Sequence, residues 1–171
     1  LKPLIVNVVE LLRWPGTTKD IAVSIDAADF DFGDARIDDV PIAVAVHLES
    51  LSNGVSASGT AAVQWTGGCR RCLRSVTQHM VVEVSELYQQ HPDDPDAYLI
   101  ESDQINLLPM MRENILLAIP IGPLCSEECR GFCPDCGQDL SEASCACEKS
   151  DSDPRWSVLD QLKGALGDSA Q

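Results

Sequence analysis

PIAVAVHLESLSNGVSASGTAAVQW, residues 41–65, decides the fold. Two runs rich in strand-forming residues, 41–51 and 55–65, flank Ser52-Asn53-Gly54, and Asn-Gly between such runs is a strong hairpin signal. Working outward, DIAVSID (20–26) alternates apolar and polar residues in part, as a half-buried strand does, and SVTQHMVVEVSELY (75–88) alternates again. The expectation is a meander of about four antiparallel strands, interrupted after residue 88 by the loop HPDDPDA. Beyond it, Asn106 stands ready to cap a helix through LLPMMRENILLAI, with Leu108, Met111, Ile115 and Ile119 on one face and Pro120 ending it. Asp153-Pro154 opens a last helix, RWSVLDQLKGAL, that Gly167 closes.

The predicted class is α+β: an antiparallel meander or barrel-like sheet, two helices and a cysteine-rich, zinc-ribbon-like insert. Three segments follow within one compact domain: a β-rich core with its packing helix (1–124), a cysteine-rich segment (125–150) and a C-terminal helix (151–171). The 171 residues suffice for one ordinary domain, and a hydrophobic share of 44% supports a core that does not depend on cross-links.

Charge narrows the partners. With 12 basic and 27 acidic residues the net charge is −15, a poor basis for binding bare phosphate backbone. No Lys or Arg lies between Ser75 and Met111, against seven acids, and from Asp26 to Asp39 Arg36 stands alone among six aspartates. Such stretches are either a solvated surface or a docking face for something basic, such as a ribosomal protein. Arg70, Arg71 and Arg74 cluster in GGCRRCLR and are the candidates for RNA or partner contact. The N-terminal LKPLIVNVVELLRWPG lacks the basic region and cleavage site of a secretory signal, and no apolar run approaches the ~18 residues of a membrane span. A cytoplasmic protein is expected, with no membrane partner.

Eight cysteines fall into four pairs: Cys69/Cys72, Cys125/Cys129, Cys133/Cys136 and Cys145/Cys147. Disulfides suit a secreted chain, and a redox dithiol at Cys69-Arg-Arg-Cys72 leaves six thiols unexplained. Metal binding accounts for all eight as two four-thiolate sites, most simply two Zn²⁺ ions. Cys133, Cys136, Cys145 and Cys147 form one local site, since only eight residues separate the two pairs. Cys69, Cys72, Cys125 and Cys129 then form the other, while an interleaved pairing of 69/72 with 133/136 stays open. Closed four-thiolate sites are structural, because a catalytic zinc keeps a position for water. Arg70, Arg71 and Arg130 also have a supporting role available, balancing the negative charge of a tetrathiolate zinc. His47, His79 and His91 are scattered, and neither HExxH, Gly-x-Ser-x-Gly nor a phosphate-binding glycine loop occurs, so an enzyme is not expected.

The ordered set of Cys69-Arg-Arg-Cys72-Leu73, INLLPMMRENILLAIPIGPLC, CRGFCPDCGQDL, Cys145-x-Cys147 and Asp153-Pro154-Arg155-Trp156-x-x-Leu159, with Gly59 upstream, resembles the YceD family. Phe132 and Ser141 depart from the residues commoner there, and neither touches a metal ligand. Members of that family vary in keeping the tail cysteines, which supports a separable second site. The resemblance implies a bacterial cytoplasmic protein promoting 23S ribosomal RNA accumulation or processing and assembly of the large subunit. It implies as partners a large-subunit precursor and a small basic large-subunit ribosomal protein. The alternative from another class is a thiol- and zinc-based redox-responsive regulator, in which oxidation ejects a metal.

Overall fold

The computed structural model describes residues 4–92 and 97–147; the helix expected from Asp153-Pro154 lies outside them. The chain divides into two compact units with the boundary between Cys129 and Arg130. All regular elements described belong to the first unit. In chain order they are β1 (Ile5–Asn7), α1 (Val9–Arg13), β2 (Thr18–Ile25), a 3-10 turn (Ala27–Phe30), β3 (Ile42–Leu51), β4 (Gly54–Gly68), β5 (Ser75–Gln89), β6 (Tyr98–Leu99), β7 (Gln104–Asn106) and α2 (Leu107–Ala118).

Strands β2 to β5 form the expected antiparallel meander, with Val23 opposite Val44, Val46 opposite Gly59 and Gly59 opposite Val84. Alternation fixes which face is buried, because successive strand side chains point to opposite sides. In β3, Ile42, Val44, Val46, Leu48 and Ser50 are buried, while Ala43, Ala45, His47, Glu49 and Leu51 are exposed. The outward face is thus built largely of small and polar side chains. The sheet is open: its order is β2-β3-β4-β5-β6. The barrel-like closure expected from the sequence is not found among the described residues. The last strand, β6, has two residues and pairs parallel to the end of β5, which leaves nothing long enough to meet β2.

The Asn-Gly signal locates the β3–β4 hairpin, but the two residues at its tip are Ser52 and Asn53, and Gly54 already pairs with Leu51. Neither tip residue has the positive φ that a type I′ turn demands. Gly54 answers a packing demand instead: a Cβ there would lie 2.1 Å from the Tyr88 carbonyl oxygen of β5.

Helix α2 begins where the sequence places it. Asn106 accepts a hydrogen bond from the Leu108 backbone N–H at 3.2 Å, satisfying a donor that the helix itself leaves unpaired. Its buried face is Leu107, Met110, Met111 and Ile115, with Leu108 only half-buried, so the apolar stripe is rotated slightly from the Leu108–Met111 line. The N-terminal apolar segment has a structural reason that no periodicity reveals. Ile5–Asn7 pairs with Gln104–Asn106 as a separate two-stranded sheet, and Leu4, Val6, Val8 and Leu11 complete the core against β3, β4 and α2. Burying side chains of that size contributes about 1.5–3 kcal/mol each relative to exposure, an upper bound once residual burial in the unfolded chain is allowed for.

Candidate metal centres

β4 and β5 are joined not by a tight turn but by the Cys69–Arg74 knuckle. Cys69 N–H donates to the Arg74 carbonyl at 2.8 Å and Leu73 N–H to the Cys69 carbonyl at 2.9 Å. The second unit repeats this geometry. Cys133 N–H donates to the Gln138 carbonyl at 2.8 Å and Gly137 N–H to the Cys133 carbonyl at 2.9 Å. In each loop the fifth residue takes the left-handed conformation, φ +59° at Leu73 and +73° at Gly137. Glycine adopts it without steric cost, whereas a leucine there stores about 1–2 kcal/mol.

The knuckle turns its sulfurs inward and its amides onto them. Arg71 N–H lies 3.5 Å from Cys69 Sγ. Across from it, the segment after α2 brings Cys125 and Cys129, so that Cys69 Sγ stands 3.9 Å from Cys129 Sγ and Cys72 Sγ 3.6 Å from Cys125 Sγ. All four sulfurs lie within 4.8 Å of one another, and so do those of Cys133, Cys136, Cys145 and Cys147 in the second unit. The local grouping is therefore the one formed, and the interleaved pairing is not. All eight cysteines are free thiols.

The donor sets fit zinc. Four thiolates around Zn²⁺ at about 2.3 Å place their sulfurs about 3.8 Å apart, between the two separations measured in the first cluster. Electrostatics points the same way. The backbone amides of Cys72 and Arg71 hold Cys69 down, at about 6. The Arg74 amide pulls Cys72 down too, yet burial and the neighbouring sulfurs outweigh it and push that thiol to about 12. The hydrogen bond with Cys129 raises Cys125 as well. In the second cluster the amides of Cys136 and Asp135 lower Cys133 to about 7, while the sulfurs of Cys136 and Cys133 push Cys147 to about 12. One sulfur of each group ionises readily and makes the next harder to ionise; a divalent cation removes that conflict.

The two clusters differ in setting. Cys69, Cys72 and Cys129 are buried with Trp65 and Val76 in a small apolar core of their own, with Met80 and Leu124 against it; Cys125 is exposed. In the second cluster only Cys133 is buried, and Cys136 is exposed. There, Leu140 N–H bonds to the Gly131 carbonyl at 2.9 Å and Phe132 bridges to Asp139, bracketing the knuckle.

The three candidate contact arginines separate. Arg71 Nη1 donates to the Cys129 carbonyl at 2.7 Å and to the Glu127 carbonyl at 3.3 Å, binding the two halves of the first cluster together. Arg70 and Arg74 are exposed on the same loop. Between them stands Leu73, three-quarters exposed and backbone-strained, a residue that motif reading passes over. Aligning CRRCL with CPDCG exposes it, since the glycine of one knuckle is a leucine in the other.

Residues 57–163 match the family model described as "Large ribosomal RNA subunit accumulation protein YceD", a span that contains every cysteine of both clusters. The chain belongs to the YceD family. Its relatives include the uncharacterized protein Rv2926c of Mycobacterium tuberculosis, 28% identical over 98% of this chain and 84% of the relative. Another is the uncharacterized protein YlbN of Bacillus subtilis, 31% identical over 71% of this chain and 74% of the relative. A more distant YceD protein is the "Large ribosomal RNA subunit accumulation protein YCED homolog 1, chloroplastic" of Arabidopsis thaliana, 21% identical over 74% of this chain and 50% of the relative. No solved structure matches. Among the described residues of this YceD chain, no helix is long and apolar enough to cross a membrane.

Proposed function

We propose that this chain is a non-enzymatic, zinc-stabilised factor that promotes accumulation of 23S ribosomal RNA during large-subunit assembly in the cytoplasm. The observation that carries the reading is the family match across residues 57–163, whose description names large ribosomal RNA accumulation. Each four-cysteine cluster holds one Zn²⁺, the first fixing the knuckle to the sheet and the second forming a zinc-ribbon-like module. With four thiolates closing each ion, neither keeps a position for substrate or water. Arg70 and Arg74, with Leu73 between them, form the contact loop, and Arg71 braces it. A net charge of −15 favours a basic ribosomal protein as the principal partner, with RNA contact confined to that loop.

The test is affinity purification of the tagged protein from growing cells, with and without ribonuclease, for the wild type and for Arg70→Glu/Arg74→Glu. Large-subunit precursors that survive ribonuclease support contact through protein, and loss of precursors in the double variant supports the loop. Absence of ribosomal material from every sample refutes the reading. The exposed Cys136 keeps the redox-regulator reading in view. Release of one zinc by mild peroxide, with reversible disulfide formation, favours that reading, and inert zinc favours a scaffold.

A further inference from the structure

Antiparallel strands alternate between residues that bond their neighbour and residues whose backbone groups point away. Ser50 N–H donates to the Thr17 carbonyl at 2.9 Å while Thr18 faces Glu49, which makes Thr18/Glu49 a non-bonded pair. The alternation then aims the N–H and C=O of Thr18, Asp20, Ala22 and Ser24 out of the free edge of the sheet. Among the described residues nothing pairs with them. The open edge runs about 20 Å at ~3.4 Å per residue.

Exposed edges are ordinarily blunted by proline, a bulge, an inward charge or a covering segment. β2 contains no proline and no glycine. Its one lysine, Lys19, turns its ammonium to the Asn7 carbonyl at 3.2 Å. On the core side Ile21 and Val23 are only half-buried, as though the next strand of the sheet were missing. The opposite side carries the exposed Asp20, whose Oδ1 lies 2.6 Å from His47 Nδ1, with Glu49 across from Thr18 and Asp26 and Asp29 beyond the strand end.

We propose that the free edge of β2 receives an extended, lysine- or arginine-rich segment of a protein partner, which joins the sheet as an added strand. Its backbone pairs with Thr18, Asp20, Ala22 and Ser24, its apolar residues cover Ile21 and Val23, and its cations meet Asp20 and the acidic turn. Backbone pairing of this kind supplies affinity, and alternate side chains supply selectivity. A second copy of the chain is the wrong occupant on charge, since each copy carries −15. The inference rests on the proposed assembly role only in its choice of a basic client.

The experiment uses the full chain and a fluorescein-labelled, end-capped octapeptide of alternating Lys and Val, with a Glu-Val octapeptide as control. Binding is followed by anisotropy, and amide shifts by NMR. Ala22→Pro deletes an outward N–H and leaves the β2–β3 bonds intact. Binding of the Lys-Val peptide is expected to fall at least 10-fold, with the unfolding midpoint little changed. Asp20→Lys, which alters no backbone group, is expected to weaken it several-fold and flatten its salt dependence. Amide shifts should centre on residues 18–24. Peptide binding that ignores Ala22→Pro, or shifts lying elsewhere, overturns the proposal. So does a concentration-dependent dimer that Ala22→Pro abolishes, since that assigns the edge to a second copy. Precursor association, measured in parallel, separates the two readings. Loss of peptide binding with precursors retained supports the edge and removes the ribosomal client from it. A chain that retains precursors but does not bind the peptide refutes the edge alone.

Discussion

Gly59→Ala isolates packing from backbone conformation. Gly59 sits in mid-strand between Val46 and Val84, and its φ lies in ordinary extended territory, so alanine meets no torsional objection there. Space is the objection. The added Cβ would stand 2.1 Å from the Ala45 carbonyl oxygen and 2.8 Å from Val46 Cα, both backbone atoms of the adjacent strand. A tolerable carbon–oxygen contact is about 3.3 Å, so β3 and β4 must separate locally by about 1.2 Å. Ladder bonds stretched that far no longer count as hydrogen bonds. Losing two of them at ~1 kcal/mol each, with about 1–3 kcal/mol for overpacking, gives about 3–5 kcal/mol. The stiffer unfolded chain returns about 0.5–1, leaving a destabilisation of about 2–4 kcal/mol. Urea unfolding followed by tryptophan emission reads it out, because Trp65 is buried in the same sheet while Trp14 is exposed. With a slope of about 2 kcal/mol/M, the midpoint should drop by roughly 1–2 M. Ser58→Ala, one residue away on the outward face, should shift it by no more than about 0.5 kcal/mol. A drop below about 0.5 M for Gly59→Ala would show that the strands accommodate a methyl group and that the close approach is no constraint.

Leu73→Gly removes an exposed side chain and relieves the left-handed strain; thermal melts should show stability unchanged or raised by up to about 1 kcal/mol, while binding to large-subunit precursors falls if Leu73 is part of the contact loop. Cys72→Ser and Cys145→Ser should each lower zinc content from two ions to one by elemental analysis, and only metal loss at the first cluster should change Trp65 emission, because Trp65 packs with Cys69, Cys72 and Cys129. Metal affinity should rise with pH, since binding displaces thiol protons. With Cys69 lowered to about 6 but burial and the neighbouring sulfurs holding Cys72 at about 12, cobalt titrations of the first cluster should show net proton release and tighter binding at pH 8 than at pH 7. Arg71→Ala removes the clamp on the Glu127 and Cys129 carbonyls, and metal should leave the first cluster several-fold faster to a chelator, whereas Arg70→Ala should not change that rate.

What the sequence by itself determined follows from local chemistry. Alternation in residues 42–51 and 75–89 dictates strands with one buried face, Asn106 can cap only the helix that follows it, and cysteine pairs two to four residues apart can turn two sulfurs to one point. Those features are short-range, so a linear pattern carries them. Contacts between distant segments have no such signature. The pairing of Ile5–Asn7 with Gln104–Asn106 joins segments about a hundred residues apart, and three-residue strands are too short to show a period. Among the described residues, the open sheet follows from the shortness of β6, and the free edge of β2 from the lack of a strand paired beside it. Cysteine spacing favours Cys125 and Cys129 as the companions of Cys69 and Cys72 but leaves the interleaved pairing open, and only the return of the chain after α2 decides between them. That return gives the first cluster a small apolar core of its own and makes Arg71, still exposed, a brace on the Cys129 carbonyl. Thiol chemistry is written residue by residue, whereas burial, which decides what that chemistry stabilises, exists only once the segments have met.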